Sequence, residues 1–182
     1  KAANLAQLVG VPVVLSRVLV RDPSKPRAVP LDPDLLTTNA SEVVDDPSID
    51  IVIEVLGGET PALELIQRAI KSGKHVVTAN KEVMAKHGPE LYQLALERGV
   101  DVFYEASVGG GIPLIAPFKH DLSANTITSV QASINGTTNY ILTRMAAEGL
   151  EFDAALREAQ ELGYAEPDPT NDVEGYDAKY KL

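Results

Sequence analysis

Apolar runs closed by turn signals and followed by segments of helical spacing constrain this chain more than any other feature. Ile49 to Leu56 is almost continuously apolar, the pattern of a parallel strand buried on both faces, and Gly57-Gly58 closes it. Thr60-Pro61 caps and opens a helix in which Leu63, Ile66 and Ile70 recur at helical spacing, and Gly73 stops it. His75 to Thr78 predicts a short strand, Pro89 to Arg98 a helix, and Val102 to Ala106 another strand. Upstream, Lys1 to Val9 predicts the end of a helix stopped by Gly10. Val11 to Val20 predicts a strand ended by Arg21-Asp22-Pro23, and Ser41 to Asp45 a short helical piece. Strand and helix in this rhythm imply right-handed crossovers and a parallel sheet, here the back portion of a Rossmann-type domain.

The rhythm changes at Gly109-Gly110-Gly111, which places a domain boundary near residue 112. Beyond it, Pro113 to Leu122 predicts a helix and Thr126 to Ile134, alternating Thr, Ile, Ser and Val, a strand. Thr137 to Ala147, Phe152 to Leu162 and Asp172 onward predict helices. The expected fold class is therefore α/β: a partial Rossmann-type parallel-sheet domain over 1–112, followed by part of an α+β substrate domain over 113–182.

Composition narrows the function. The net charge of −10 argues against nucleic acid, whose phosphates need a basic face. No run approaches a membrane span, and without cysteine there is no thiolate nucleophile, disulfide framework or zinc-thiolate cluster. A cytoplasmic enzyme acting on a small molecule fits these features. His75, His87 and His120 are scattered without metal-ligand spacing and read as structural.

The densest chemistry lies between Gly163 and Lys181. Pro167 and Pro169 keep the start of this stretch out of helix, and Asn171 or Asp172 can cap a helix running to Lys181. On that helix Asp177 and Lys181 share a face. With Glu166 from the loop they would suit a zwitterion, acids for its ammonium and a lysine for an oxygen that gains or loses a proton. Taken by itself, the pair reads first as a surface salt bridge beside an acidic loop.

Ligands of doubly wound sheets sit beyond the strands' carboxyl ends, after Val20, Leu56 and Thr78. Arg21, helped by Lys25 or Arg27, would favour the 2′-phosphate of NADP over NAD, although Asp22 follows and a plain surface turn reads equally well. Gly57 and Gly58 permit close backbone approach to a flat ligand but are also turn formers. Lys81 alone would be a solvated lysine. The three glycines free the backbone to aim carbonyl oxygens at a hard cation, or to act as a hinge.

The stretch from Ala159 to Lys181 resembles the homoserine dehydrogenase signature, with Ala159, Gly163, Tyr164, Ala165, Asp168, Pro169, Asp172, Val173, Gly175, Asp177 and Lys181 in place. The resemblance continues through Thr78 to Lys81, Glu105 to Pro113 and Ile134 to Leu142, and so covers essentially the whole chain. It implies NAD(P)-dependent interconversion of L-aspartate 4-semialdehyde and L-homoserine in threonine, methionine and isoleucine biosynthesis. Lys181 is the implied proton donor, Asp177 its orienting acid, and Lys81 an active-site cation touching cofactor and substrate. Glu166 and Asp172 join the substrate site, while Gly57, Gly58 and Gly163 lie against the cofactor. Sodium is implied on main-chain oxygens of Glu105, Val108, Gly110 and Ile112, and a homo-oligomer, a dimer, in the full-length parent.

Family members open with a strand and a glycine-rich turn and continue past the signature lysine, so a fragment lacking both ends is expected. Two other readings remain: an inactive structural or oligomerisation fragment, and another Rossmann-type amino-acid semialdehyde dehydrogenase. Phosphorylating members of that second group would need a cysteine.

Overall fold

In a computed structural model, which describes residues 2–182, the chain divides into two compact units. The first comprises residues 1–54, 60–77 and 90–102, and the second 55–59, 78–89 and 103–182.

The first unit carries the parallel sheets. Helix α1 (Ala2–Val9) ends where Gly10, at φ 81°, donates its N–H to Ala6 O. Strand β1 (Val18–Leu19) pairs in parallel with β2 (Leu36–Thr37), Val18 opposite Leu36. The predicted strand over Val11 to Val20 thus shrinks to two residues. Val11, Val13, Val14 and Leu15 stay exposed, because no strand among the described residues offers them a ladder.

After helix α2 (Ser41–Val44), strands β3 (Ile51–Glu54), β4 (His75–Thr78) and β5 (Val102–Phe103) form a second sheet in that order. Helix α3 (Ala62–Lys71) connects β3 to β4 and buries Ala62, Leu65, Ile66, Ala69 and Ile70. Its N-cap is Pro61 with no side-chain hydrogen bond, so Thr60 does not cap as expected. Val44, Val52, Val76, Leu91, Ala95 and Val102 complete this core. The expectation that Ile49 to Leu56 is covered on both faces is corrected: Val52 and Glu54 are buried while Ile51, Ile53 and Val55 are exposed, since within this unit one face is covered.

Helix α4 (Lys81–Arg98) starts eight residues before the predicted Pro89 and carries Pro89 inside it. Its start is set by Asn80, whose Oδ1 accepts the Val83 N–H at 3.1 Å. That cap outweighs the helix start at Pro89 read from sequence.

In the second unit, β5 gives way to a 3-10 turn (Glu105–Ser107) instead of running to Ala106. The helix predicted over Pro113 to Leu122 is reduced to a π-helical turn (Pro117–Asp121). Residues 126–134 form no strand and are largely exposed, because no strand among the described residues takes their backbone hydrogen bonds. Helix α5 (Gly136–Glu148) is capped by Asn135 and ended by Gly149, and α6 (Phe152–Glu161) packs on it through Ile141, Ala155, Ala159 and Ala165. The helix expected from Asp172 onward is two helices, α7 (Thr170–Val173) and α8 (Tyr176–Lys181), broken at Gly175 where φ is 77°. The N-cap of α7 is Pro169 with no side-chain hydrogen bond, so neither Asn171 nor Asp172 caps as expected, and Asp168 Oδ1 accepts from Thr170 N in the turn that leads in. Among the described residues no helix is long and apolar enough to cross a membrane.

Candidate active site

A cavity of about 790 Å³ opens within the second unit, and Gly57, Gly58, Lys81, Val108, Gly110, Ile112, Asp177 and Lys181 are among its lining residues. Two lysines and one carboxylate meet on its wall. Asp177, 4% exposed, accepts from Lys81 on Oδ1, and on Oδ2 from Lys181 Nζ at 2.7 Å and Asn135 Nδ2 at 2.8 Å. The Asp177–Lys181 pair is therefore the i,i+4 contact expected from spacing, but half-buried on a cavity wall rather than laid on an open surface.

Burial pushes the Asp177 carboxyl up, and the donors Lys181, Lys81 and Asn135 outweigh it, leaving the pKa at about 2. Asp177 is thus a carboxylate throughout the physiological range, suited to holding cations and not to donating a proton. Lys181 Nζ also donates to Ile134 O at 2.6 Å. Two of its three possible donor directions are engaged, which leaves one for an oxygen in the cavity.

The glycine turn is held from below. Asn80, 4% exposed, donates its amide to Gly58 O at 2.7 Å while its oxygen caps α4, so one side chain fixes the turn and the helix end that carries Lys81. Lys86 Nζ bonds Glu59 Oε2 at 2.8 Å and Glu82 Oε1 at 2.6 Å, and His87 Nε2 lies 2.8 Å from Glu59 Oε1. Lys86, then His87, keep the Glu59 carboxyl below its ordinary value. Gly57 and Gly58 have φ of 74° and 69°, and a Cβ on either would meet nothing within 4 Å, so their backbone faces open space.

The Glu105 carboxylate turns to the amides of Leu114, Ile115 and Ala116, which hold its pKa down. Its main-chain oxygen accepts a long bond of 3.4 Å from Val108 N. A Cβ on Gly109 would sit 2.6 Å from Ile112 O, so the curl between them requires glycine. Among the described residues no cluster of His, Cys, Asp and Glu could hold a metal through side chains.

Other expected site residues lie elsewhere. Glu166 and Gly163 are exposed and outside the cavity lining, and the Glu166 carbonyl accepts from Gln160. Asp172 reaches the lysine site indirectly, through the Asn135 amide at 2.7 Å. Arg21 and Lys25 are exposed in the first unit, where Arg27 braces their turn by donating to Asp22 O, Pro23 O and Lys25 O.

Sequence reasoning gave no role to Asn80, Asn135 or the Ile134 carbonyl. The two asparagines each precede a helix, which is the one signal that could have marked them.

Two family models match in succession: homoserine dehydrogenase, NAD binding domain, over residues 2–105, and homoserine dehydrogenase over residues 113–182. Homoserine dehydrogenase of Synechocystis sp. is 52% identical over 93% of this chain and 39% of its own length. That of Bacillus subtilis is 48% identical over 98% of this chain and 41% of its own length. The chain thus spans about two fifths of the curated relatives it matches. Among solved structures, a homoserine dehydrogenase from Thiobacillus denitrificans superposes with a TM-score of 0.92 at 49% identity, covering 100% of this chain and 42% of that one. A hyperthermophilic archaeal homoserine dehydrogenase in complex with NADPH superposes with a TM-score of 0.72 at 36% identity, covering 79% of this chain and 44% of that one. With two successive family models, relatives at 48% and 52% identity and a shared fold in agreement, this chain belongs to the homoserine dehydrogenase family.

Proposed function

We propose that this chain is the part of a homoserine dehydrogenase that carries its proton-transfer site, and that the full-length parent interconverts L-homoserine and L-aspartate 4-semialdehyde with NAD(P). The observation that carries this reading is the convergence of Lys81 and Lys181 on one buried carboxylate, Asp177, at a cavity also lined by Gly57 and Gly58. A nicotinamide cofactor held against Gly57 and Gly58 would supply the hydride chemistry of this interconversion.

The chain's own residues handle the proton. In oxidation Lys181, as the free amine, takes the hydroxyl proton while the carbon gives up its hydrogen as hydride. In reduction its ammonium returns that proton to the oxygen as negative charge develops there. Lys81 stabilises the same oxygen or the substrate carboxylate, and Asp177 holds both cations in place. Asp177 and Glu166, from its exposed loop, are the acids assigned to the substrate ammonium, with Asp172 supporting them through Asn135.

The open glycine turn, braced at Gly58 by Asn80, fits close approach of a flat ring and its ribose. Gly163 would add backbone contact to the cofactor. Arg21 and Lys25 would receive the 2′-phosphate of NADP, and sodium would sit on the main-chain oxygens of Glu105, Val108, Gly110 and Ile112. The Gly109 curl against Ile112 supports that last assignment. The proposal includes a domain boundary near residue 112, a dimeric parent and a cytoplasmic location.

Steady-state oxidation of homoserine by the parent and its Lys181→Ala variant tests the reading. A fall in kcat of about two to four orders of magnitude is expected, the usual worth of a positioned acid–base group. A near-normal kcat removes Lys181 from the chemistry.

A further inference from the structure

The segment entering α5 makes more contacts with the lysine site than an ordinary helix cap needs. Asn135 is 8% exposed, and its side chain uses its full hydrogen-bonding capacity. Its Oδ1 accepts from Thr138 N at 2.7 Å and Thr138 Oγ1 at 2.9 Å. Its Nδ2 donates to Asp172 Oδ1 at 2.7 Å and Asp177 Oδ2 at 2.8 Å.

The two carboxylates fix which end of the amide is which. A flipped amide would aim its oxygen at both acids and its N–H₂ at the Thr138 backbone N–H, placing like against like at those three contacts. The immediate neighbours reinforce the arrangement: Ile134 O receives Lys181 Nζ at 2.6 Å, and Thr137 Oγ1 donates to Tyr164 O at 2.7 Å. Ile134, Asn135 and Thr137 thus tie the start of α5 to Lys181, to Asp172 and Asp177, and to the turn after α6.

A cap alone needs only the oxygen. The amide protons do something different: one N–H₂ group spans two carboxylates on different helices, α7 and α8, on either side of the break at Gly175. Asp177 has two oxygens and three donors, Lys81 on one and Lys181 with Asn135 on the other. Asn135 is the neutral member of that set, fixed to the backbone through the helix cap. It can therefore set the rotation of the Asp177 carboxylate without adding charge. The charged groups in hydrogen-bond contact with this network are Lys81 from α4, Asp172 from α7, and Asp177 and Lys181 from α8.

We infer that Asn135 is a positioning residue for proton transfer, acting through Asp177 to aim the Lys181 amine at the reacting oxygen. This rests on the proton-transfer role proposed for Lys181. Loss of the amide frees the carboxylate to rotate with its lysine, and a displacement of about 1 Å at a catalytic group costs about a hundredfold in rate.

Serine is the discriminating substitute, because it keeps an oxygen able to cap α5 but lacks the amide donor. In the full-length parent, Asn135→Ser is expected to lower kcat for homoserine oxidation by about ten- to a hundredfold, with KM for NAD(P) within about twofold and little change in melting temperature. A second readout does not depend on activity. The Asp177 carboxyl, followed by NMR of carboxyl-labelled aspartate, should titrate at higher pH in the variant, since a donor to its charged form has gone.

A kcat within about threefold of wild type together with an unchanged Asp177 titration overturns the inference and leaves Asn135 a cap. Should the wild-type parent fail to oxidise homoserine, the proposed function falls and the Asp177 titration alone decides the role of Asn135. If Asn135→Ser does not fold, Asn135→Thr, also a neutral capping residue without the amide, is judged by the same two measurements.

Discussion

Replacing Asp177 with asparagine removes the charge on which this site converges while keeping its outline and one acceptor oxygen. The Asp177 carboxyl is pushed up by burial and pulled down more strongly by Lys181, Lys81 and Asn135, ending at about 2 against an ordinary 3.8. A carboxyl whose folded pKa lies below its unfolded value gives up its proton more readily in the folded state. Its stabilisation is complete above the unfolded value and is lost as pH falls through the folded one. At about 1.4 kcal/mol per pH unit the lowering corresponds to about 2.5 kcal/mol. Solvent around Lys81, whose side chain is 42% exposed, screens part of this, so about 2 kcal/mol is expected. Equilibrium urea unfolding of wild type and Asp177→Asn, followed by circular dichroism at stepped pH, checks it. The gap between the two proteins should be flat from neutral pH to about 5 and close between about pH 4 and pH 2. A gap still present at about pH 2 would mean that packing, not charge, sets the difference; closure above about pH 5 would mean that a group other than Asp177 sets it. Either result refutes the electrostatic account of Asp177.

Asn80→Ala should lower stability by about 1 to 2 kcal/mol through loss of the α4 cap, with faster amide exchange at Val83, and should weaken NAD(P) binding because Gly58 loses its tether. Unchanged exchange at Val83 would show that the cap is dispensable. Arg21→Ala should weaken NADP binding by about 1.5 to 3 kcal/mol and leave NAD nearly untouched, as expected for one charge-assisted hydrogen bond. Parallel losses for both cofactors, measured by fluorescence titration, would make the Arg21 turn purely structural.

The sequence alone determined the elements whose signals are local. His75 to Thr78 is the strand that its composition predicts, and α5 and α6 run close to their expected limits between Asn135 and Gly149 and from Phe152 to Glu161. The Asp177–Lys181 pair was legible too, because spacing on one helix is a local property. Elements that need a partner were not. Thr126 to Ile134 alternates as a strand does, yet a strand exists only where a neighbour takes its hydrogen bonds, and no described strand does so. Ile49 to Leu56 likewise reads as doubly buried, whereas burial of each face depends on what packs there.

The site divides in the same way. Lys81 and Asp177 are 96 residues apart, and nothing local says that they share a carboxylate–ammonium contact. Asn80 and Asn135 each precede a helix, a local signal of a cap that the sequence reading passed over, and their second role appears only when the Gly58 carbonyl and the Asp172 and Asp177 carboxylates are brought to their amides. Capping is written in the chain because its donor lies three residues away. The tethering of a glycine turn and of two lysines to one acid required the tertiary fold, because hydrogen bonds acting over about 3 Å connect residues that sequence separation leaves unrelated.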